Sequence, residues 1–137
     1  MVHNIYYFAS PHISSNRTKV WDNNLFNKFC GFYLDALSRI VKCYADEAKK
    51  SSASITFFYP STIFIEQPEK GFSEYAVAKG AGETLCEQLA AEYQKLIFMA
   101  PRLTRMQTDQ TSSIIPIKCD SVFDVMHREL NAIESAD

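Results

Sequence analysis

Two kinds of hydrophobic pattern alternate along the chain. Short apolar runs rich in β-branched and aromatic residues predict three strands, which lie near residues 3–9, 55–60 and 96–100. Longer segments with apolar residues at every third or fourth position predict three helices, which lie near residues 21–50, 73–93 and 121–133. Strands that alternate with helices favour an α/β fold with a parallel sheet. We therefore expect one domain, residues 1–137, with a three-layer α/β/α arrangement.

Polar residues at the starts of the helical patterns are candidate N-caps. Asp22 or Asn23 would cap the first helix, Ser73 the second, and Asp120 or Ser121 the third. Such a side chain accepts a hydrogen bond from a backbone N–H of the first turn, which has no partner inside the helix. The caps therefore predict where each helix begins.

Three features are less regular. Gly31 interrupts the first helical pattern, where glycine costs about 1 kcal/mol relative to alanine, so it either allows close packing or marks a bend. The second strand has a possible extension through residues 63–65. Residues 114–117 form a possible short strand, which Pro116 would confine to an edge or a turn.

The composition is that of a globular protein, with 47% hydrophobic and 22% charged residues. The net charge of −2 provides no basic surface for nucleic acid or anionic lipid. The sequence contains neither an apolar run long enough to cross a bilayer nor a signal-peptide pattern. We therefore predict a soluble, cytoplasmic protein without a nucleic-acid or membrane partner.

Cysteine and histidine residues are scattered along the chain. None of the cysteines forms a Cys-x-x-Cys pair, and the histidines are equally far apart. This spacing favours reduced thiols over disulfides and argues against a metal site. The residues concerned are Cys30, Cys43, Cys86, Cys119, His3, His12 and His127.

Tyr75 and Lys79 are the strongest candidates for chemistry. Residues four positions apart lie on the same face of a helix, so the phenol and the ammonium can share a site. A nearby ammonium favours the phenolate and lowers the pKa of a tyrosine from its usual value of about 10. Tyr75 could then act as a general acid or base. The alternative is an ordinary helix-surface pair.

Ser61 follows the second predicted strand, after the sequence Tyr59-Pro60. In open α/β sheets, ligands bind at the carboxyl ends of the strands. A hydroxyl at this position is therefore a candidate site residue, although it could also bond only to its own loop backbone.

These residues, in this order, resemble the short-chain dehydrogenase/reductase family. The shared pattern is an apolar strand ending in serine, a loop of about a dozen residues, a Tyr-x-x-x-Lys helix rich in small residues, and a strand that runs into proline. The resemblance implies that Ser61, or alternatively Thr62, takes the place of the catalytic serine. It also implies that Tyr75 transfers a proton, and that Lys79 lowers the Tyr75 pKa and holds the nicotinamide ribose of NAD or NADP.

The resemblance also implies further cofactor contacts. Ala9 and Ser10 follow the first strand, where most family members carry an Asn-Asn-Ala-Gly-like turn, and Pro11 departs from that turn. Pro101 and Thr104 belong to a segment similar to the family's proline-containing loop, in which the corresponding threonine is ambiguous. The family's catalytic asparagine has two candidate positions, Asn27 by residue type and Tyr33 by spacing.

The resemblance extends over residues 3–130 but matches only the second half of the family fold. The sequence lacks the Gly-x-x-x-Gly-x-Gly turn that holds the cofactor pyrophosphate. We therefore expect a fragment of a longer NAD(P)-dependent, ketoreductase-like oxidoreductase acting on a small carbonyl or alcohol substrate. The isolated chain is expected to be inactive and to bind no cofactor tightly. The alternative is a non-catalytic, Rossmann-like half-domain with a structural role.

The resemblance further implies a homodimer. The helices near residues 21–50 and 73–93 correspond to those that family members commonly pack against their mates. Their apolar residues exceed what one face of a small sheet can cover; those assigned to the interface are Phe29, Phe32, Leu37, Tyr44, Ala81, Leu85 and Leu89.

Overall fold

A computed structural model describes residues 4–16, 20–105 and 120–135 of the chain. Within these residues, the main sheet has three parallel strands. In chain order the strands are β1 (Asn4–Tyr6), β2 (Ile55–Phe58), β3 (Ser61–Thr62), β4 (Leu96–Met99) and β5 (Arg102–Leu103). The main sheet has the order β1-β2-β4, and β3 pairs with β5 in a separate parallel pair. The predicted parallel sheet is therefore confirmed.

Helices flank this sheet close to the predicted positions. They are α1 (Asn23–Cys30), a π-helical segment (Gly31–Ala36), α2 (Leu37–Lys50), α3 (Ser73–Glu92) and α4 (Val122–Glu134). The first three are consecutive and form one helical run from residue 23 to residue 50, as the hydrophobic pattern predicts. The protein thus has a small parallel sheet flanked by helices, in agreement with the predicted α/β class.

The first helical run begins at a side-chain cap and changes its winding at Gly31. The Asp22 carboxylate accepts hydrogen bonds from the backbone N–H groups of Asn24 (3.0 Å) and Leu25 (3.2 Å), so Asp22 is the N-cap. Gly31 is the first residue of the π-helical segment, and a Cβ built on it meets no heavy atom within 4 Å. Close packing therefore does not explain this glycine.

Two local predictions are wrong. Residues Ile63–Ile65 form a 3-10 turn instead of extending a strand. The chain leaves the main sheet after β2 and pairs separately at Ser61–Thr62, and the Thr62 side chain then accepts a hydrogen bond from Phe64 N (3.3 Å). Ser73 is the first residue of α3, and the N-cap position belongs to Phe72, whose side chain makes no cap bond. At α4 the Ser121 alternative is confirmed, because its hydroxyl accepts from Asp124 N. The possible strand at residues 114–117 lies outside the described residues.

The core lies between the sheet and the face of the helices that packs against it. Phe29, Tyr33, Leu37 and Val41 follow one side of the first helical run and are all fully buried. They join Phe57 of the central strand in one continuous cluster. The four-residue spacing of this set keeps the four side chains on one face of the helical run, as the hydrophobic pattern predicts.

The described cysteines are unpaired: Cys86 is buried, Cys30 is half-buried and Cys43 is exposed. Within residues 4–16, 20–105 and 120–135, no group of three His, Cys, Asp or Glu side chains could hold a metal ion. In the same part of the chain, no helix combines the length and the apolar character needed to cross a bilayer.

Candidate active site

Tyr75 and Lys79 lie together on the buried face of α3. Only 9% of Tyr75 and 6% of Lys79 is exposed, although both residues belong to the first two turns of the helix. Tyrosine is often half-buried, but lysine almost never loses its solvent without a partner. The surface-pair alternative is therefore wrong, and the contacts of both side chains determine what this site can do.

The Lys79 ammonium is held by the loop that follows β2 and by two aromatic rings. It donates a hydrogen bond to the Pro60 carbonyl oxygen (2.6 Å). It lies 4.0 Å from the ring centroid of Tyr33 and 4.7 Å from that of Tyr59. Burial lowers the pKa of Lys79 to about 7, and the charges of Cys86 and Glu83 oppose that change.

The Tyr75 ring is enclosed by other aromatic rings. Its centroid is 5.5 Å from that of Phe29, 6.0 Å from that of Tyr33 and 6.3 Å from that of Phe64. Burial raises the pKa of Tyr75 to about 12, and an interaction with the Thr62 side chain partly offsets the rise. The sequence argument predicted a lowered pKa and is wrong on this point, because desolvation of the phenolate dominates.

The two candidate hydroxyls that follow β2 have different partners. The Ser61 hydroxyl donates to Glu83 Oε1 (2.5 Å), and Arg102 also binds the Glu83 carboxylate through Nε (3.0 Å) and Nη2 (2.7 Å). Burial alone would raise the pKa of Glu83, but the hydrogen bonds from Arg102 and Ser61 hold it below its ordinary value. Thr62 is the residue whose side chain interacts with Tyr75.

Tyr33 lies among the candidate site residues, whereas Asn27 lies on the surface. Asn27 is exposed on α1, while Tyr33 is fully buried beside both Lys79 and Tyr75. The Tyr33 hydroxyl shares a hydrogen bond of 2.5 Å with Ser10 Oγ, and Ser10 Oγ also donates to the Pro11 carbonyl (3.0 Å). The structure therefore brings position 33, the position indicated by spacing, next to Lys79 and Tyr75. That position carries a tyrosine instead of the family's asparagine.

The predicted cofactor residues lie just beyond the carboxyl ends of the strands. Ala9 is exposed and Ser10 is half-buried after β1, while Pro101 is half-buried between β4 and β5. The Pro101 carbonyl accepts a hydrogen bond from Ser61 N (2.9 Å), and the Thr104 hydroxyl donates to Asp120 Oδ2 (2.5 Å). The threonines at positions 108 and 111 lie outside the described residues.

Sequence reasoning missed Glu83 and Tyr59 as members of this site. Glu83 follows Lys79 by four residues on α3, so the same spacing that linked Tyr75 to Lys79 could have identified it. Tyr59 carried no comparable signal. Its hydroxyl packs so close to Gly82 that a Cβ there would lie 2.0 Å from the oxygen, which explains why a small residue is needed on this turn of α3.

Ala9, Ser10 and Lys79 have the size and polarity that the nicotinamide ribose end of a dinucleotide would need. Ala9 is small and exposed, which leaves room for close approach, and the hydroxyl of Ser10 lies next to it at the end of β1. The Lys79 ammonium is linked to Ser10 through Tyr33. These residues would lie along one rim of a cofactor that binds at the carboxyl ends of the strands.

No model of a protein family matches the sequence, and no curated protein matches it either. Solved structures with the same fold were nevertheless found. A short-chain dehydrogenase from Burkholderia cenocepacia J2315 in complex with NADP superposes with a TM-score of 0.80 at 12% identity, over 96% of this chain and 55% of that one. A short-chain dehydrogenase from Salmonella enterica serovar Typhi CT18 gives 0.75 at 19% identity, over 93% and 54% of the two chains.

A third structure, the FolM alternative dihydrofolate reductase 1 from Brucella suis in complex with NADP, gives a TM-score of 0.61 at 12% identity, over 94% of this chain and 48% of that one. The chain thus spans about half the length of the solved structures it matches. At these identities the likeness establishes the fold alone. The protein has a partial short-chain dehydrogenase/reductase fold.

Proposed function

We propose that this chain is part of an NAD(P)-dependent, ketoreductase-like oxidoreductase that acts on the carbonyl or alcohol carbon of a small molecule. The observation that carries the proposal is the burial of Tyr75 and Lys79 on one face of α3. Tyr75 interacts there with the Thr62 side chain, and Lys79 donates to the Pro60 carbonyl. Two of the similar structures contain NADP, which supports this class of cofactor.

In this proposal Tyr75 is the proton donor. Burial raises the pKa of Tyr75 to about 12, so the phenol is protonated at neutral pH and can donate to a carbonyl oxygen as charge develops there. Ser61, or alternatively Thr62, polarises the carbonyl through its hydroxyl. Lys79 supplies the adjacent positive charge.

When bound, the nicotinamide supplies or accepts the hydride. Lys79 would hold its ribose, and Ala9, Ser10, Pro101 and Thr104 would line the cofactor. Lys79 now donates to the Pro60 carbonyl. A ribose hydroxyl would therefore have to share the ammonium, which has three N–H donors, with that carbonyl.

A second candidate function is a non-catalytic half-domain that keeps the sheet and helices for a structural role. The observation that favours it is that the chain's own groups hold the polar atoms of the site. Pro60 accepts from Lys79, Glu83 accepts from Ser61, and Tyr33 shares a hydrogen bond with Ser10. The buried face of α3 would then stabilise the fold only.

Substitution of Tyr75 in the longest polypeptide that carries this chain distinguishes the two functions. We expect Tyr75→Phe to lower kcat for carbonyl reduction roughly a hundredfold or more, because general acid catalysis contributes that much, while the Kd for NADP(H) stays within about twofold. Tyr44→Phe, which removes a hydroxyl in the same way from a ring packed against Phe57, is the matched control. Equal losses in both variants, or none in either, would favour the structural function.

Calorimetric titration of the 137-residue chain with NADP(H) tests the cofactor expectation separately. A pyrophosphate normally binds to a glycine-rich turn at a helix N-terminus, which this sequence lacks. We expect the chain alone to bind more weakly than about micromolar, the affinity that corresponds to roughly 8 kcal/mol. Micromolar or tighter binding would show that the residues after β1 and β4 suffice.

A further inference from the structure

Tyr33 contacts residues from two elements of the proposed site. Its ring centroid is 4.0 Å from Lys79 Nζ and 6.0 Å from the ring centroid of Tyr75, both on α3. Its hydroxyl shares a 2.5 Å hydrogen bond with Ser10 Oγ, in the loop after β1. The residue is fully buried, so these contacts are made away from water.

The backbone around Tyr33 is unusual and anchored. Tyr33 belongs to the π-helical segment Gly31–Ala36, and such segments are rare and frequently occur at functional sites. The carbonyl of the preceding residue, Phe32, accepts a hydrogen bond from the Tyr7 hydroxyl (2.5 Å). Two consecutive residues of the segment are thereby joined to the end of β1 and the loop that follows it.

We propose that Tyr33 is a positioning residue, whose ring holds the Lys79 ammonium beside the loop after β2 and whose hydroxyl fixes that ring to Ser10. The part of the proposal that concerns the position of the Lys79 ammonium depends only on the contacts described above. Its catalytic consequence rests on the proposed oxidoreductase function, in which Lys79 must carry its charge next to Tyr75.

The electrostatic reason is the poor solvation of Lys79. An ammonium has three N–H donors, and the Pro60 carbonyl accepts from this one at 2.6 Å. An aromatic face carries negative charge density that attracts a cation, and the attraction grows when water is excluded. The Tyr33 ring is the nearer of the two rings around the ammonium, the other being Tyr59.

Several titratable groups face Lys79, and the test must separate the ring from them. Glu83 and Cys86 on α3 favour the protonated form of Lys79 through their charges. Tyr75 lies on the same helix, one turn earlier, and Tyr59 lies on the loop after β2. Fluorine substitution of the ring at position 33 changes its charge distribution while leaving these groups in place.

The experiment tests the ring apart from the hydroxyl. It uses the 137-residue chain with phenylalanine at position 33 as the reference, and then with increasingly fluorinated phenylalanines at the same position. The Lys79 side chain is followed by NMR of lysine labelled with ¹³C at Cε, with the signal assigned through Lys79→Met. We expect the protonation constant of Lys79 to fall about three- to tenfold from the unfluorinated to the fully fluorinated ring. A constant that does not change across the series overturns the proposal.

Tyr44 provides the matched control, because its ring packs against Phe57 at 6.1 Å between centroids. The same fluorinated series at position 44 should leave the Lys79 titration unchanged. An equal fall in that series would assign the effect to general disturbance of the core and would overturn the proposal. The rings within each series are of nearly constant size, so we expect the fold to stay intact across both series.

An activity measurement tests the catalytic consequence. In the longest polypeptide that carries this chain, the limb of the kcat profile that reports Lys79 should move to lower pH together with the NMR titration, with little change in KM. A profile that stays fixed while the titration moves would overturn the positioning role in catalysis. A polypeptide with no reductase activity at all would contradict the proposed function. The NMR titration would then still test whether the Tyr33 ring holds the Lys79 ammonium.

Discussion

Lys79 and Tyr75 show how burial sets the protonation state of a residue. Burial lowers the pKa of Lys79 to about 7 and raises that of Tyr75 to about 12. In both cases the environment favours the uncharged form, because a charge loses its hydration in the core. At neutral pH the phenol is therefore protonated, and Lys79 is close to its midpoint.

The lowered pKa of Lys79 predicts how stability depends on pH. Between about pH 7 and its ordinary value of 10.5, the unfolded chain binds more protons at Lys79 than the folded chain does. The free energy of unfolding should therefore rise with pH across this window. In Lys79→Met that rise should disappear, as urea unfolding between about pH 7 and about pH 9 would measure; the upper limit stays below tyrosine ionisation.

Lys49→Met is the control for this prediction, because the Lys49 side chain is 66% exposed in its ion pair with Asp46. Its pH dependence should match that of the unsubstituted chain. An unchanged slope in Lys79→Met would mean that Lys79 stays hydrated in the folded protein.

We predict that substitution by alanine has opposite effects on stability at Gly82 and at Gly80, which lie in the same helix. A Cβ at Gly82 would lie 2.0 Å from the Tyr59 hydroxyl oxygen, whereas at Gly80 the nearest atom is Ile65 Cδ1 at 3.8 Å. We expect Gly82→Ala to lower the free energy of unfolding by about 1–3 kcal/mol through overpacking. Gly80→Ala should raise it by up to about 1 kcal/mol through helix propensity. Urea unfolding measures both variants. Similar changes in the free energy of unfolding would contradict the close contact between Gly82 and the Tyr59 hydroxyl.

At the scale of elements, the start of α3 is joined to the start of α1 through one buried carboxylate. Glu74 is only 1% exposed and accepts hydrogen bonds from Asn16 Nδ2 (2.6 Å) and from Asp22 N (2.5 Å). Asn16 N in turn donates to the Gly71 carbonyl (2.7 Å), just before α3. The turn of α3 that carries Tyr75 is therefore fixed to the loop preceding α1.

We predict that Glu74→Ala lowers the free energy of unfolding by about 2–3 kcal/mol at neutral pH, because charge-assisted hydrogen bonds in the core are lost. Burial alone would raise the pKa of Glu74, but the hydrogen bonds from Asn16 and the backbone hold that pKa below its ordinary value of 4.5. The stabilisation is thus present above about pH 4.5 and should be lost as the pH falls through the lowered value.

The free energy of unfolding of Glu74→Ala and of the unsubstituted chain should be measured at neutral and at acidic pH, which gives the loss of stability at each pH. Glu92→Ala, at the exposed end of α3, serves as the control and should cost little at either pH. A difference for Glu74→Ala that is independent of pH would mean that side-chain volume, and not the charge, stabilises this junction.

At the scale of the whole molecule, the homodimer stays a prediction. The structure limits the residues that could form its interface to those exposed on the helices. Phe29 and Leu37, assigned from sequence to a dimer interface, are fully buried in the chain's own core. Phe32 on the π-helical segment and Val77 on α3 remain 37% and 50% exposed. We propose that these two residues lie at the centre of a homodimer interface formed by the helices near 21–50 and 73–93.

Light scattering of the double variant Phe32→Asp/Val77→Asp tests this proposal. Charges in the apolar centre of an interface are unpaired and desolvated, so the variant should be monomeric at concentrations where the unsubstituted chain is dimeric. Phe123→Asp is the matched control on α4, where the ring is 74% exposed, and it should leave the dimer intact. A monomeric unsubstituted chain would contradict the proposal directly.

The sequence by itself determined the features that depend on neighbours along the chain. Alternating hydrophobic periods predicted the three main strands and the long helices, because each period follows from local backbone geometry. The i, i+4 spacing placed Tyr75 and Lys79 on one face of α3 for the same reason. Gly31 indicated a possible bend, but the sequence pattern did not show that a π-helical segment begins there.

Only the tertiary structure decided which residues meet across the fold and what burial does to them. Tyr33 reaches Ser10 and Lys79 over long chain separations, and the bond from Ser61 to Glu83 depends on how β3 lies against α3. The sequence predicted that Lys79 would lower the Tyr75 pKa, because it showed the spacing of the charges but not their solvent. Desolvation depends on every atom packed around a group, and the folded chain alone specifies that packing.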